Sequence, residues 1–361
     1  MDTLPPELLH LIIRESIQGC SLRAAELICC RLALVHPFWR DEAQRLLYTV
    51  VELDRAAIPF LEAPRHFPHL AQWTTSLALL HVVWTPTTGH VAEFANLVQL
   101  KVRFSSWQSN LHFGLDDLPK LERLDVRTPI ASGTLSAYWF RTLADLPRLK
   151  QLQLEGFQSA EHTIGNWQLD DPPLLKLDSL SLRNMFAAAG LPFDVAPTLR
   201  RLAIATVFPD STAIKIITSS APSLCLLSIS APPLHMPGTP DSALSPLVAT
   251  LLRSPPAFPL LKSFTLRSYA IDLPSLVSLT APSLRILQLL EGKIPFARAD
   301  LVALVRRDQF PMLGTVALGT PASFVVAGVE FMLVCKGRGI GHRIDRAEER
   351  VVEWVEHEQL R

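Results

Sequence analysis

Apolar residues recur along the chain in one unit: an apolar residue or Pro, any residue, Leu, two residues, Leu, one residue, an aliphatic. Its copies are Leu97–Leu100–Val102, Leu121–Leu124–Val126, Leu149–Leu152–Leu154 and Leu177–Leu180–Leu182. They continue as Leu199–Leu202–Ile204, Leu224–Leu227–Ile229, Leu261–Phe264–Leu266, Leu284–Leu287–Leu289 and Leu313–Val316–Leu318. A degenerate earlier copy lies between Leu70 and Leu79. The alternation within each copy predicts a short strand with every second side chain turned inward. Pro precedes the first Leu by two in many copies, as at Pro119, Pro147, Pro197, Pro222, Pro259, Pro282 and Pro311. Proline there ends the preceding segment, because it disfavours the helical conformation in the residue before it.

Successive first leucines are 24, 28, 28, 22, 25, 37, 23 and 29 residues apart. Segments 136–146, 210–220, 242–253, 298–307 and 323–336 read as amphipathic helices between strands, with Asp210, Ser242 and Ser323 as N-caps. Segment 340–344 reads as a further strand, with Gly339 in the turn before it, and 345–359 as a charged helix. A strand and a helix that cannot cover their apolar faces alone must stack on their neighbours, so the expectation is α/β: a curved solenoid with parallel strands on one side. A doubly wound α/β enzyme also alternates strand and helix. It would call for a Gly-rich phosphate loop after a strand, and the one Gly cluster, Gly337, Gly339 and Gly341, precedes a strand instead.

The repeat does not reach the first 48 residues, which read as helices. Leu8, Leu11, Ile12 and Glu15 recur at helical spacing, and so do Leu27, Cys30, Leu34 and Phe38; a third run covers 43–48. Pro5 and Pro6 suit a first helical turn, whose N–H groups have no partner within the helix, and Glu7 faces the positive end of the helix dipole.

Composition narrows the functional classes. Lys and Arg number 34 and so do Asp and Glu, so a whole-chain electrostatic hold on nucleic acid or an anionic membrane is not expected. Hydrophobic residues make up 48% and Leu alone 62 positions, enough to exclude disorder over most of the length. No apolar run reaches the roughly 18 residues of a membrane span, and the first residues lack the basic and apolar regions of a secretion signal. The five cysteines, Cys20, Cys29, Cys30, Cys225 and Cys335, are odd in number and scattered, which fits reduced thiols in a cytoplasmic or nuclear protein. His66 and His69 are three apart, but Pro68 stands between them and no Cys completes a metal site. Asp116-Asp117 and Asp170-Asp171 read as solvated turn acids, and neither a nucleophile elbow nor a Walker loop occurs.

Over about residues 70–344 the repeat unit resembles the leucine-rich repeat family, whose period runs from about 20 to 29 residues. It departs from the regular pattern where an Asn normally follows the last aliphatic by three, since Pro129, Phe157 and Met185 stand there. The front resembles an F-box. Leu4-Pro5-Pro6-Glu7-Leu8 opens it; segment 31–40, with Val35 and Trp39, forms its core; Leu46, Leu47 and Tyr48 close it. His36 replaces the usual Cys after Val35, and the stretch 16–31 is a few residues longer than in the family. The structural alternative is a plain helical cap over the first repeat, which solenoids require in any case.

The expected organisation is a short all-helical F-box at 1–50, a leucine-rich-repeat solenoid with a curved parallel sheet at 51–344 and a capping helix at 345–361. The resemblance implies a non-catalytic substrate receptor in a cullin–RING ubiquitin ligase. It needs no cofactor or metal, docks on a Skp-family adaptor and so on the cullin scaffold, and holds an unknown target protein on its repeats. Carried over from the family, the adaptor contacts are Leu4, Pro5, Leu8, Ile12, Val35 and Trp39. Strand parity supplies the substrate side. Arg103, Arg127 and Arg183 fall in one outward column suited to an acidic or phosphorylated peptide, which Glu155 interrupts. Leu226, Ile286 and Leu290 are outward and apolar, and form either a contact patch or a surface covered by a loop or the tail. The alternative function is a leucine-rich-repeat scaffold or inhibitor with no part in ubiquitin transfer.

Overall fold

A computed structural model describes residues 5–18, 22–54, 57–83, 91–106, 115–129, 133–134, 137–158, 173–186, 193–207, 210–230, 256–267, 276, 279–290, 310–319 and 328–345. The chain forms two compact units, Met1–Gln158 and Ser159–Arg361. Among the described residues it is a mixed α/β protein built on parallel strands, with no closed barrel.

The first unit starts with three helices: α1 (Pro6–Ile17), α2 (Leu22–Val35) and α3 (Pro37–Thr49). Pro5 is the N-cap of α1, and its carbonyl accepts from the N–H groups of Leu8 and Leu9 at 3.0 and 3.1 Å. Glu7 and Arg14 stand at the dipole ends that favour their charges. The second apolar set does not run on to Phe38 as one helix. Pro37 excludes the helical conformation at His36, so α2 stops at Val35 and a new helix starts, its N–H groups at Trp39 and Arg40 turning back to the His36 carbonyl. Leu9, Ile13, Cys29 and Ala43 form the buried core of the three helices, with Trp39, Leu46 and Leu47 packed against it.

Helix α3 leads directly into a strand absent from the repeat pattern, β1 (Val50–Asp54). Helices α4 (Ala57–His66) and α5 (Pro68–Trp73) follow, and then β2 (Ser76–Val83), β3 (Gln99–Ser106), β4 (Arg123–Arg127), the short β5 (Gly133–Thr134), α6 (Ala137–Asp145), β6 (Gln151–Glu155) and the short β7 (Phe157–Gln158). Strands β1, β2, β3, β4 and β6 pair in that order, all parallel. Leu100, Leu124 and Leu152 are register partners, as are Val102, Val126 and Leu154, and all six are buried. Stacked rings of Tyr48, Phe60 and Phe94, with centroids 6.2 and 5.6 Å apart, tie α3 through α4 to the first repeat turns.

The second unit repeats the plan. Its strands are β8 (Leu174–Leu175), β9 (Ser179–Phe186), β10 (Asp194–Val195), β11 (Arg201–Val207), β12 (Leu226–Ser230), β13 (Ser263–Arg267), β14 (Ile286–Leu290), β15 (Thr315–Gly319) and β16 (Gly341–Asp345). Helix α7 (Asp210–Ser220) lies between β11 and β12, and α8 (Gly328–Gly337) between β15 and β16. The parallel order is β9-β11-β12-β13-β14-β15-β16, and Leu180, Leu202, Leu227, Phe264, Leu287 and Val316 share one row. The helices expected at 136–146 and 210–220 correspond to α6 and α7, and the described part of 323–336 to α8; those expected at 242–253 and 298–307 lie outside the described residues, as does 346–359, while Asp345 ends β16 instead of starting a helix.

At the entry to the repeat strands the backbone forms a ladder of its own. In repeat after repeat one carbonyl accepts two successive N–H groups of the next strand. Thr75 accepts from Val98 and Gln99, Val98 from Glu122 and Arg123, and Glu122 from Lys150 and Gln151. In the second unit Arg200 accepts from Cys225 and Leu226, Cys225 from Lys262 and Ser263, and Lys262 from Arg285 and Ile286. Side chains one position ahead of the first Leu add to this: Asn96 donates to the Gln72 carbonyl at 2.8 Å, and Ser283 to that of Pro259 at 2.7 Å. These bonds satisfy polar groups that packed repeats would otherwise bury unpaired.

Candidate protein-binding surfaces

The helical module combines a closed core with an apolar exterior. Leu8, Leu11 and Ile12 fall on one face of α1 by their spacing, and Leu8 and Leu11 are 47% and 51% exposed. On α2, Leu27, Cys30 and Leu34 share a face in the same way, and Leu34 and Val35 are 84% and 69% exposed. Burial of Leu9 and Ile13 fixes which side of α1 faces inward, so the outer residues are surplus to the module's own core. Pro5, Leu8, Ile12 and Val35 of the expected adaptor contacts are thus exposed, and Leu4 lies outside the described residues. Trp39 differs: it is half-buried and packs on the core cluster, so it supports the module as well as bordering its surface.

A polar triad crosses from α1 to α3. His10 Nδ1 contacts Glu42 Oε1 and lies 3.0 Å from Arg45 Nη2, and Arg45 Nη2 donates to Glu42 Oε1 at 2.9 Å. Burial pushes the Glu42 carboxyl pKa up, but hydrogen bonds from Arg45 and His10, and their charges, outweigh burial and hold it below the ordinary carboxylate range. A cavity of about 870 Å³ opens beside this triad, lined by His10, Arg14, Cys29, Leu46, Val50 and Trp73 among others. Sequence reasoning missed it, because it arises where α3 meets the unpredicted β1. Burial first, and then the neighbouring Cys30, raise the Cys29 thiol pKa, so this thiol is not an activated nucleophile.

The strand faces turned away from the core differ between the units. In the first, Arg103 and Arg127 are register partners, with Glu155 next to Arg127. Arg127 is not the open cation expected of it. Its guanidinium grips Asp125 of its own strand at 2.9 and 3.0 Å and reaches Glu155 at 3.7 Å, because residues two apart on a strand share a face. Arg103 is exposed. Arg183, half-buried, belongs to the second unit, where its register partner is Ala205. There Leu226 and Ile286 are half-buried and flank Ser263, while the side chain of Leu290 lies outside the described residues. Ser263 is 1% and Gln288 6% exposed, and Thr265 and Ala317 are also buried, so the outward positions beside Leu226 and Ile286 are less open than Arg103 and Arg123 of the first unit.

His66 ends α4, and His69 lies in α5 with its ring edge on Trp73 at 4.8 Å, so the two do not form a shared helical pair. Among the described residues no group of three or more His, Cys, Asp or Glu is placed to hold a metal ion, and no helix is long and apolar enough to cross a membrane. No family model matches the chain, and no curated protein matches it.

Proposed function

We propose that this chain is an F-box protein with leucine-rich repeats, the substrate receptor of a cullin–RING ubiquitin ligase. Its three helices dock on a Skp-family adaptor and its repeats hold the target. It then performs no chemistry itself but raises the concentration of target lysines near a charged conjugating enzyme. The observation that carries this reading is the apolar exterior of α1 and α2 on a module that already has its own core. A plain cap turns its apolar face onto the repeats; these residues face solvent instead, and such a surface on a small module marks an interface. The motif resemblance at residues 4–8 and 31–48 and the in-register parallel strands point the same way.

The test is retention of the full chain by an immobilised Skp-family adaptor. Leu8→Ser with Ile12→Ser should abolish retention and leave the circular dichroism spectrum unchanged, since neither side chain is in the core. Trp39 is unsuited to this purpose because its loss also opens the core. Failure of the wild-type chain to bind would sink the ligase reading and favour a repeat scaffold.

A further inference from the structure

We infer that the outward face of β3 and β4 binds an extended anionic peptide segment whose acidic side chains stand at alternate positions. This face carries four cations, Lys101, Arg103, Arg123 and Arg127, against one carboxylate, Asp125, with Glu155 on the adjoining strand β6. Both carboxylates converge on a single guanidinium. Asp125 accepts from Arg127 through both oxygens, and Glu155 lies 3.7 Å from the same group. Lys101 is the register partner of Asp125, yet no ion pair joins them. Lys101, Arg103 and Arg123 therefore have no anionic partner among the described residues. The buried Nε2 of Gln153, next in the Lys101–Asp125 row, also has no acceptor. The two carboxylates are engaged on Arg127, and three of the four cations remain.

The spacing specifies the ligand. Lys101 and Arg103 are two residues apart on one strand, about 7 Å. Arg123 opposes Gln99 on the next strand, which puts it about 8 Å from Lys101 and about 14 Å from Arg103. The three form a diagonal whose steps match side chains at i, i+2 and i+4 of an extended chain, which recur about every 7 Å on one face. A helical ligand presents neighbours at different intervals, and contiguous acids of an extended chain alternate between faces. Glutamate and phosphoserine offer the same anionic chemistry, and Arg favours either through paired hydrogen bonds.

The inference does not depend on adaptor binding, and its test contains no adaptor. Fluorescein-labelled Ser-Glu-Ser-Glu-Ser-Glu-Ser is titrated with the full chain at 150 mM salt, read by anisotropy. Beside it run the phosphoserine analogue, a peptide with three contiguous Glu and an oligothymidylate of equal charge. Saturable binding of the alternating Glu or phosphoserine peptide, at least fivefold tighter than the contiguous one, is the expected result, and the tighter of the two identifies the anion. Lys101→Gln, Arg103→Gln and Arg123→Gln should each weaken binding about three- to fivefold. Asp125→Asn should tighten it, because it removes a repelling charge and loosens the hold on Arg127; damage to the fold would not give that sign. No binding of either alternating peptide, equal binding of the contiguous peptide, or unchanged affinity in the Arg103 and Arg123 variants overturns the inference. Tighter binding of the oligothymidylate also overturns it, in favour of a nucleic-acid surface.

Discussion

Replacing Gly156 with alanine places two separable costs on the turn between β6 and β7. The first is conformational: Gly156 has φ of +86°, and the left-handed region costs an L-residue about 1–2 kcal/mol. The second is a collision. A Cβ at this position would lie 2.2 Å from the Thr128 carbonyl oxygen and 2.7 Å from its Oγ1, so backbone must move by about 1 Å to restore van der Waals contact. Thr128 cannot yield freely. Its N–H donates to Glu155 O at 2.8 Å and its hydroxyl to Gly156 O at 2.7 Å, and it is buried. Loss of one or two such bonds adds about 1–3 kcal/mol, for a total of about 2–5 kcal/mol. Gly339→Ala supplies the comparison: φ is +68°, but nothing lies within 4 Å of the added methyl, so only the conformational cost of about 1–2 kcal/mol applies. Urea titration followed by circular dichroism gives both numbers. For a unit of this size Gly156→Ala should also lower Tm by about 4–20 °C. Equal destabilisation by the two substitutions would refute the close approach at Thr128.

Glu42→Gln tests the α1–α3 triad: a folded-state pKa below the ordinary value adds stability above about pH 4.3, lost as pH falls through the folded value. The wild type should exceed the variant by about 1–2 kcal/mol at pH 5.5 and lose that margin towards pH 3, and a margin independent of pH in urea titrations would contradict it. His81 is exposed at φ +55°, where the β2–β3 register shifts between Leu79 and Val82. His81→Gly should therefore raise stability by up to about 1 kcal/mol and His81→Val lower it by about 1–2, read as opposite shifts in Tm. The Ser223 hydroxyl lies 2.6 Å from the Pro197 carbonyl and 2.7 Å from that of Leu199, so Ser223→Ala should cost about 0.5–1.5 kcal/mol in the same assay, and no change would show that the backbone ladder suffices alone.

The repeat strands were legible because alternation with period two is a strong local signal and each copy carries it whole. In the copies that start at Leu97 to Leu284, the second apolar residue and the aliphatic prove to be the inward strand positions, and the first Leu lies in the turn before the strand. Strand β1 carries no such frame. Val50–Asp54 lacks the leading Leu and Pro, and it forms a strand because α3 delivers it to the edge of β2, with the Thr49 carbonyl taking the Thr75 N–H at 3.0 Å. In α1 apolar residues line both sides, so periodicity alone could not tell Leu8 and Ile12 from Leu9 and Ile13; contact with Cys29 and Ala43 decides it. The grip of Arg127 on Asp125 needed no tertiary information, since residues two apart on a strand share a face, and attention to columns across strands obscured the pairing along one.

The outward rows show where a charged partner can be accommodated. On β13–β15 the row Thr265, Gln288 and Ala317 is uncharged and buried; there, Thr265 donates to the Gln288 side-chain oxygen at 2.8 Å. Uncharged groups that bond one another tolerate such burial, whereas a lysine or arginine row in the same place would lose hydration that no partner restores. On β3 and β4 the outward positions are mostly cationic, and Arg103 and Arg123 are exposed, as hydration requires. The same backbone unit thus presents opposite surfaces according to which side chains can be covered. The open, charged part belongs to the unit that holds the helical module, and β3 lies only two strands, about 10 Å, from the β1 into which α3 runs without a linker. A peptide held there would stand at a fixed short distance from whatever α1 and α2 dock against. On the receptor reading proposed above, a target held there would be presented beside the adaptor-docking helices.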